Sequence, residues 1–147
     1  ILNFRQAEGV SLENEFQLRI GNIRSYMNEA LALDPERVQA IKDRLQTAIA
    51  ELKVNVDENR FEQELIYYLE KLDITEEKVR LTNHLDYFLE TIKGKEANGR
   101  KLGFITQEMG REINTMGSKS NHAQMQKLVV MMKDELEKIK EQVLNVL

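Results

Sequence analysis

Apolar side chains recur along this chain at intervals of three and four residues, the period of an amphipathic α-helix. The first such stripe is Phe16, Ile20, Ile23, Met27 and Ala30. Asp34 and Pro35 then interrupt the pattern, since aspartate caps helices and proline fits a first helical turn. The second stripe is Val38, Ile41, Leu45, Ala48 and Leu52. We therefore predict an elongated antiparallel helical hairpin over about residues 12–53.

The same period continues to the end of the chain. Apolar stripes predict a third helix after Asp57, a fourth after residues 73–76, and a fifth over residues 102–116 that Gly117 ends. Residues 94–99 form the predicted loop before the fifth helix. The last stripe runs from Met125 to Val146, with Ser118 or Ser120 as the predicted cap. The pattern indicates an all-α fold, in which the hairpin is followed by a bundle of three to four helices.

Composition narrows the class of protein. The 147 residues include no cysteine, which leaves no disulfide framework and no thiolate metal site. No apolar run approaches the roughly 20 residues that cross a bilayer, and no signal-peptide pattern opens the chain. We expect a cytoplasmic protein without a membrane segment. Because the first residue is Ile1, we also expect a fragment of a longer protein.

Charge is distributed unevenly along the chain, whose net charge is −4. Residues 1–92 carry eleven basic and eighteen acidic side chains, whereas residues 93–119 carry six basic and three acidic ones. A protein that gripped phosphates without specificity would be basic throughout. A local basic segment suits an RNA contact, and it equally suits a solvated loop.

Candidate chemistry lies on helix flanks, because no nucleophile motif, phosphate-binding glycine loop or zinc signature is present. On the fifth helix Glu108 and Glu112 share one flank with Lys101. The side away from the apolar stripe gathers Arg100, Phe104, Gln107, Arg111 and Asn114. Such a basic face with one aromatic ring can hold phosphates and stack a base.

Two other helices add polar residues at the shoulders of their apolar faces. These are Glu77, Arg80 and His84 on the fourth helix, and Arg60 and Glu64 on the third. Half-buried carboxylates need a partner, and oxygen ligands with one imidazole suit Mg²⁺ or Mn²⁺. The plain alternative is a surface charge pattern with a packed histidine. By periodicity alone the chain is a helical module.

Two stretches carry a resemblance to a known family. Residues 99–147 read GRKLGFITQEMGREINTMGSKSNHAQMQKLVVMMKDELEKIKEQVLNVL, and residues 56–88 read VDENRFEQELIYYLEKLDITEEKVRLTNHLDYF. Both resemble the C-terminal part of the YicC-like (YicC/YloC) family of bacterial endoribonucleases. The opening RQAEGVSLENEFQLRI is similar to the family's central helical section. The resemblance therefore spans nearly the whole chain.

This resemblance implies a divalent-metal-dependent endoribonuclease that hydrolyses phosphodiester bonds in RNA and assembles as a homo-oligomer, possibly a hexamer. It implies that residues 1–56 are the hairpin of a central or arm region, that residues 57–147 are the C-terminal domain, and that the family's N-terminal domain is absent from this chain. The implied cofactor is Mg²⁺ or Mn²⁺, and the implied partner is RNA.

The matching polar residues receive expected roles. The expected catalytic residues are Glu108, Glu112 and His84. The expected metal ligands are Glu64, Glu77, Glu108 and Glu112. The expected RNA-binding residues are Arg80, Arg100, Phe104, Arg111, Asn114 and Lys119. Gly103 and Gly110 stand where the family pattern has an acid and an asparagine, so neither position can supply a ligand here.

Three interpretations stay open at the level of the sequence. The first is a subunit of the metal-dependent endoribonuclease. The second is a non-catalytic RNA-binding or oligomerisation module of a larger bacterial protein, whose missing half would carry the activity. The third is a helical bundle with no ligand, which predicts no RNA binding even at low salt.

Overall fold

Six α-helices and no strand make up the part of the chain that the structure describes. A computed structural model describes residues 6–52, 57–94 and 99–146, with side chains from residue 9 onward. The helices are α1 (Gln6–Ala32), α2 (Asp34–Leu52), α3 (Glu58–Leu72), α4 (Thr75–Lys93), α5 (Gly99–Lys119) and α6 (Ala123–Val143). The predicted all-α class, a helical hairpin followed by a bundle, is confirmed, and the hairpin is bent. Helix α1 begins at Gln6, earlier than its stripe indicated, since Val10 in its first turns is exposed and Leu12 is only partly buried.

Helices α1, α4, α5 and α6 share one hydrophobic core. α1 packs along α6 and also contacts α4, while α5 packs against both α4 and α6. All five apolar residues of the predicted α1 stripe are buried, and Phe16 meets Phe88 of α4 edge-on with ring centroids 5.1 Å apart. Each such fully buried large side chain stabilises the fold by about 2 kcal/mol. The first helix of the hairpin is therefore also a member of the bundle.

Helices α2 and α3, which we call the arm, bury much less. Ile41 and Leu65 are the buried hydrophobic residues of the two helices. Ala48 and Leu52 belong to the predicted α2 stripe but are exposed in this chain. α2 has only slight contact with α1. Periodicity indicates which face of a helix is apolar, but the stripe does not say which element will cover that face.

A buried arginine joins the arm to the bundle. Arg37 of α2 is only 2% exposed, and its guanidinium donates to Asp34 Oδ1 at 2.8 Å. The same group donates to the carbonyl oxygens of Leu72 and Lys119, each at 2.9 Å. These carbonyls belong to the last residues of α3 and α5, where a helix has no partner for its final acceptors and favours a positive charge. One side chain therefore caps two helices from a third.

The corner between α5 and α6 differs from the prediction. α5 does not end at Gly117 but continues to Lys119, because Gly117 serves helix packing: an added Cβ would lie 3.1 Å from Val129 Cγ1. The cap of α6 is His122, whose Nδ1 accepts from the backbone N–H of Met125 at 3.3 Å. The predicted serine caps were wrong, since both hydroxyls donate to carbonyls of α5.

The predicted domain boundary and most of the predicted loop before α5 fall outside the described residues. The predicted division into residues 1–56 and 57–147 falls at residues 53–56, which lie outside the described residues, so it stays a prediction. Most of the predicted loop before α5, residues 95–98, also lies outside them. Within the described ranges, none of the helices combines the length and apolar character that a membrane crossing requires.

Candidate active site

Helices α4 and α5 bring most of the predicted site residues to one shared seam. Three side-chain contacts set the antiparallel register of the pair. Lys119 meets Glu77 at one end, Arg80 meets Glu112 further along, and Lys101 meets Tyr87 towards the other end. We define the α4–α5 seam as Glu77, Arg80, His84 and Tyr87 of α4 with Lys101, Glu108, Glu112 and Lys119 of α5. Within each helix these positions are three, four or seven apart, so they follow one flank.

The seam begins at the first turn of α4. Asp73 accepts from the hydroxyl of Thr75 at 2.8 Å, next to the start of the helix. Glu77, in the first turn, is 3% exposed, and the positive end of the helix favours its carboxylate there. Lys119 Nζ donates to Glu77 Oε1 at 2.8 Å and to the carbonyl of Asp73 at 2.9 Å. Lys119, predicted to bind RNA, thus closes a partly buried ion pair that joins α5 to α4.

Glu112 is the most unusual group of the seam. It is 8% exposed, and its Oε1 lies 3.7 Å from Arg80 Nη1. Its other oxygen, Oε2, is buried and has no hydrogen-bond partner among the described residues. Leaving a buried acceptor unpaired costs about 1–3 kcal/mol, and more for a charged group. Glu112 Oε2 is therefore a hydrogen-bond acceptor at a fixed position that the described residues leave unused.

Arg80 lies between buried and exposed carboxylates. Its guanidinium also contacts Glu76, one turn earlier on α4. The Arg80 side chain is about half exposed and Glu76 is largely exposed. An ion pair of this kind is worth little in water. Arg80 can therefore exchange Glu76 for another anion while it remains beside Glu112.

The middle of the seam contains His84 and Glu108. The register fixed by the neighbouring contacts places these two residues at the same level of the helix pair. His84 is half-buried, and Glu108 pairs with Arg111 one turn later at 3.4 Å. The middle of the seam therefore combines an imidazole with the carboxylates of Glu108 and Glu112, on the helix flanks that the sequence predicted.

The outer face of α5 agrees with its predicted orientation. Arg100, Phe104, Gln107, Arg111 and Asn114 are all exposed. Phe104 is 62% exposed, which is high for a phenylalanine. The side of α5 that the spacing assigned to solvent is thus the side that faces solvent, beside the seam.

The structure removes one predicted residue, Glu64, from the seam and adds one that was not predicted, Tyr87. Glu64 lies on α3, where it lines an apolar pocket of about 350 Å³ with Leu45, Phe61 and Tyr68, apart from the seam. Tyr87, which the sequence analysis did not single out, belongs to the seam: its ring faces Lys101 Nζ at 4.9 Å. Its position three residues after His84 was the available signal.

The four predicted metal ligands do not form a complete protein-built metal centre. Within the described ranges no three or more histidine, aspartate or glutamate side chains come close enough together to hold an ion. Glu77 is engaged by Lys119, and Glu64 is on the arm. Glu108 and Glu112, one turn apart on α5, are the remaining pair. Mg²⁺ is commonly held by one or two carboxylates together with substrate phosphates, and that mode fits this pair.

Comparison with known proteins identifies the class. The sequence pattern of the family "Endoribonuclease YicC-like, C-terminal" matches residues 30–147. The chain therefore belongs to the YicC-like endoribonuclease family, through its C-terminal part.

Two relatives resemble the chain over almost its full length. The probable endoribonuclease YicC of Clostridioides difficile strain 630 is 38% identical over 145 residues, which cover 97% of this chain and 50% of the relative. The probable endoribonuclease YicC of Haemophilus influenzae strain KW20 is 33% identical over 141 residues, which cover 96% of this chain and 49% of the relative. The chain thus spans about half the length of these curated relatives.

Proposed function

We propose that this chain is the C-terminal part of a divalent-metal-dependent endoribonuclease, and that the α4–α5 seam binds and hydrolyses RNA. The observation that carries the proposal is Glu112, a buried carboxylate that keeps one oxygen unpaired beside an arginine. Family membership supports RNA as the substrate, because the named relatives are probable endoribonucleases. The exposed basic residues on the adjoining face of α5 supply phosphate contacts.

Hydrolysis requires a proton acceptor and a proton donor. The oxygen of a water molecule forms a bond to phosphorus, and the bond from phosphorus to the leaving sugar oxygen breaks. Glu112 Oε2 is the acceptor with unused capacity for the water proton. His84, as its protonated imidazolium, donates a proton to the leaving oxygen and becomes neutral. Arg80, released from Glu76, binds the phosphate and balances its charge.

A divalent cation would lie between the RNA and α5. Glu108 and Glu112 would hold it, together with phosphate oxygens. When bound, Mg²⁺ or Mn²⁺ would activate water and neutralise charge on the phosphate. Glu77 and Lys119 then act as structural neighbours that fix the first turn of α4 against α5.

Glu112→Gln tests this proposal in the protein rejoined to the N-terminal half that its relatives possess. Glutamine keeps the size of the side chain but cannot accept the proton. We expect cleavage of a labelled RNA with Mn²⁺ or Mg²⁺ to fall by at least about 100-fold. Chelator should abolish cleavage by the unsubstituted protein.

Glu135→Gln is the matched control. Glu135 is a similarly buried glutamate, with a side chain 9% exposed against 11% for Glu112, and it also meets an arginine of another helix, Arg19 at 3.2 Å. It lies on α6, away from the seam. We expect its variant to cleave RNA at the unsubstituted rate. Equal activity of both variants would contradict the proposal.

A second candidate is a non-catalytic RNA-binding and oligomerisation module. The arm favours it, since Leu52 and Ile66 are more than half exposed and would be covered by a second copy of the chain. Sedimentation of the chain would show a homo-oligomer, up to a hexamer, that Leu52→Glu and Ile66→Glu weaken. Cleavage that survives Glu112→Gln while the assembly and RNA binding persist would favour this candidate over the first.

A further inference from the structure

Two aromatic rings are exposed at the end of the seam where Lys101 lies. Tyr87 of α4 is 43% exposed and Phe104 of α5 is 62% exposed. Neither ring is part of the hydrophobic core. Exposed rings of this size keep apolar surface in water, which costs free energy unless a ligand covers them.

Lys101 links the two rings. Its Nζ lies 4.9 Å from the centroid of the Tyr87 ring, a cation–π contact across the two helices. Phe104 follows Lys101 by three residues on α5, and residues at that spacing are neighbours on a helix surface. Phe104 therefore lies on the helix surface one turn from Lys101, on the solvent side of the seam. Arg100 and Arg111 are exposed on the same helix, so cationic side chains flank Phe104 on α5.

Rings among cations suit a particular form of nucleic acid. Bases in a duplex are stacked on each other and offer no free face, whereas unpaired bases stack on aromatic side chains. Backbone phosphates of such a strand follow the flanking cations. The arm has exposed tyrosines too, but α3 carries four glutamates against one arginine and one lysine, an acidic balance that repels phosphates.

We propose that Tyr87 and Phe104 form a stacking platform for unpaired bases, so that this site takes single-stranded RNA or loops rather than duplex. The inference rests on the proposed function and deepens it by naming the form of the substrate. It adds Tyr87 as a binding residue. The platform lies beyond His84 along the seam, so it would hold bases next to the phosphate that reaches Glu112.

The test is binding rather than cleavage. Fluorescence anisotropy would measure the affinity of the chain for a labelled single-stranded RNA and for the duplex of the same length. Tyr87→Leu and Phe104→Leu should each weaken single-strand binding roughly tenfold and leave duplex binding unchanged. An abasic nucleotide in the strand should weaken binding by the unsubstituted chain and should have less effect in the variants.

Tyr67→Leu provides the matched control. Tyr67 is an exposed tyrosine on α3 with a lysine, Lys71, over its ring at 4.5 Å, the same type of contact outside the seam. Its variant should bind both RNAs like the unsubstituted chain. Equal losses for single strand and duplex, or no loss in the Tyr87 and Phe104 variants, would overturn the platform alone. Absence of RNA binding by the unsubstituted chain would overturn the proposed function with it.

Discussion

The glycines of α5 show that the space around a residue decides whether a side chain can be added there. Gly103 and Gly110 stand where the resemblance led us to expect other residues, and both are inside the helix. An added Cβ at Gly110 would lie 3.3 Å from Leu136 of α6, so this glycine marks a close helix contact. At Gly103 nothing lies within 4 Å of that position. Gly110 therefore lies where α5 packs closely on α6, whereas Gly103 does not, a difference that the sequence alone does not reveal.

Gly103→Ala should stabilise the chain by about 0.5–1 kcal/mol, since alanine restricts the unfolded chain and meets no neighbour in the helix. The measurement is the free energy of unfolding from urea denaturation.

Gly117→Ala is the opposite case within the same helix. Its Cβ would lie 3.1 Å from Val129 Cγ1, so α6 or the valine must shift, and we expect a loss of about 1 kcal/mol. If the two alanine variants changed stability in the same direction, the packing of α5 on α6 described here would be wrong.

Among the elements, the joint of the arm depends on Arg37. Substitution by methionine keeps the length and apolar stem of the side chain but leaves the carbonyls of Leu72 and Lys119 without their donor. We expect Arg37→Met to destabilise the chain by on the order of 3 kcal/mol. Thermal or urea denaturation followed by circular dichroism would measure the loss.

Arg24→Met is the comparison for that joint. Arg24 joins α1 to α4 through Asp86 at 2.7 Å, but both side chains are partly or largely exposed. Solvent screens such a pair, so its loss should cost no more than about 1 kcal/mol. A cost for Arg37→Met as small as that for Arg24→Met would contradict the role of Arg37 as a shared helix cap.

The elements also show what the sequence could and could not predict. Local spacing was sufficient for the stripe of α1 and for the outer face of α5, because both follow from the helical period. It was insufficient for the cap of α6 and for the end of α5, where packing of Gly117 against Val129 overrides its tendency to end a helix. It also could not show that Ala48 and Leu52 stay exposed in this chain.

For the candidate site too, spacing within each helix was predictable and the contacts between helices were not. Spacing placed Glu108 and Glu112 on one flank, and Glu77, Arg80 and His84 on another. It could not give the register between α4 and α5, which depends on contacts between residues about 14 to 42 apart in the chain. For that reason Tyr87 was missed, Glu64 was grouped with residues it does not join, and the Lys119–Glu77 pair was not foreseen.

In the whole molecule, the bundle of α1, α4, α5 and α6 holds the α4–α5 seam in position. α1 and α6 hold α4 and α5 in place from behind through the shared core, and Arg19 of α1 bridges to Glu135 of α6. The hydrogen bond to Glu15 raises the pKa of Arg19 above its usual value, so the guanidinium of this bridge stays charged. The seam is thereby presented on a fixed pair of helices, and the arm adjoins it at Lys119 through Arg37.

Crosslink mapping tests the central claim most directly, because it locates RNA on the chain without depending on cleavage. A single-stranded RNA that carries 4-thiouridine would be bound to the 147-residue chain at low salt and irradiated, and the modified peptides identified by mass spectrometry. We predict adducts within Thr75–Lys93 and Gly99–Lys119, concentrated at Tyr87 and Phe104. Adducts confined to the arm, Asp34–Leu52 and Glu58–Leu72, or to α6 would contradict it.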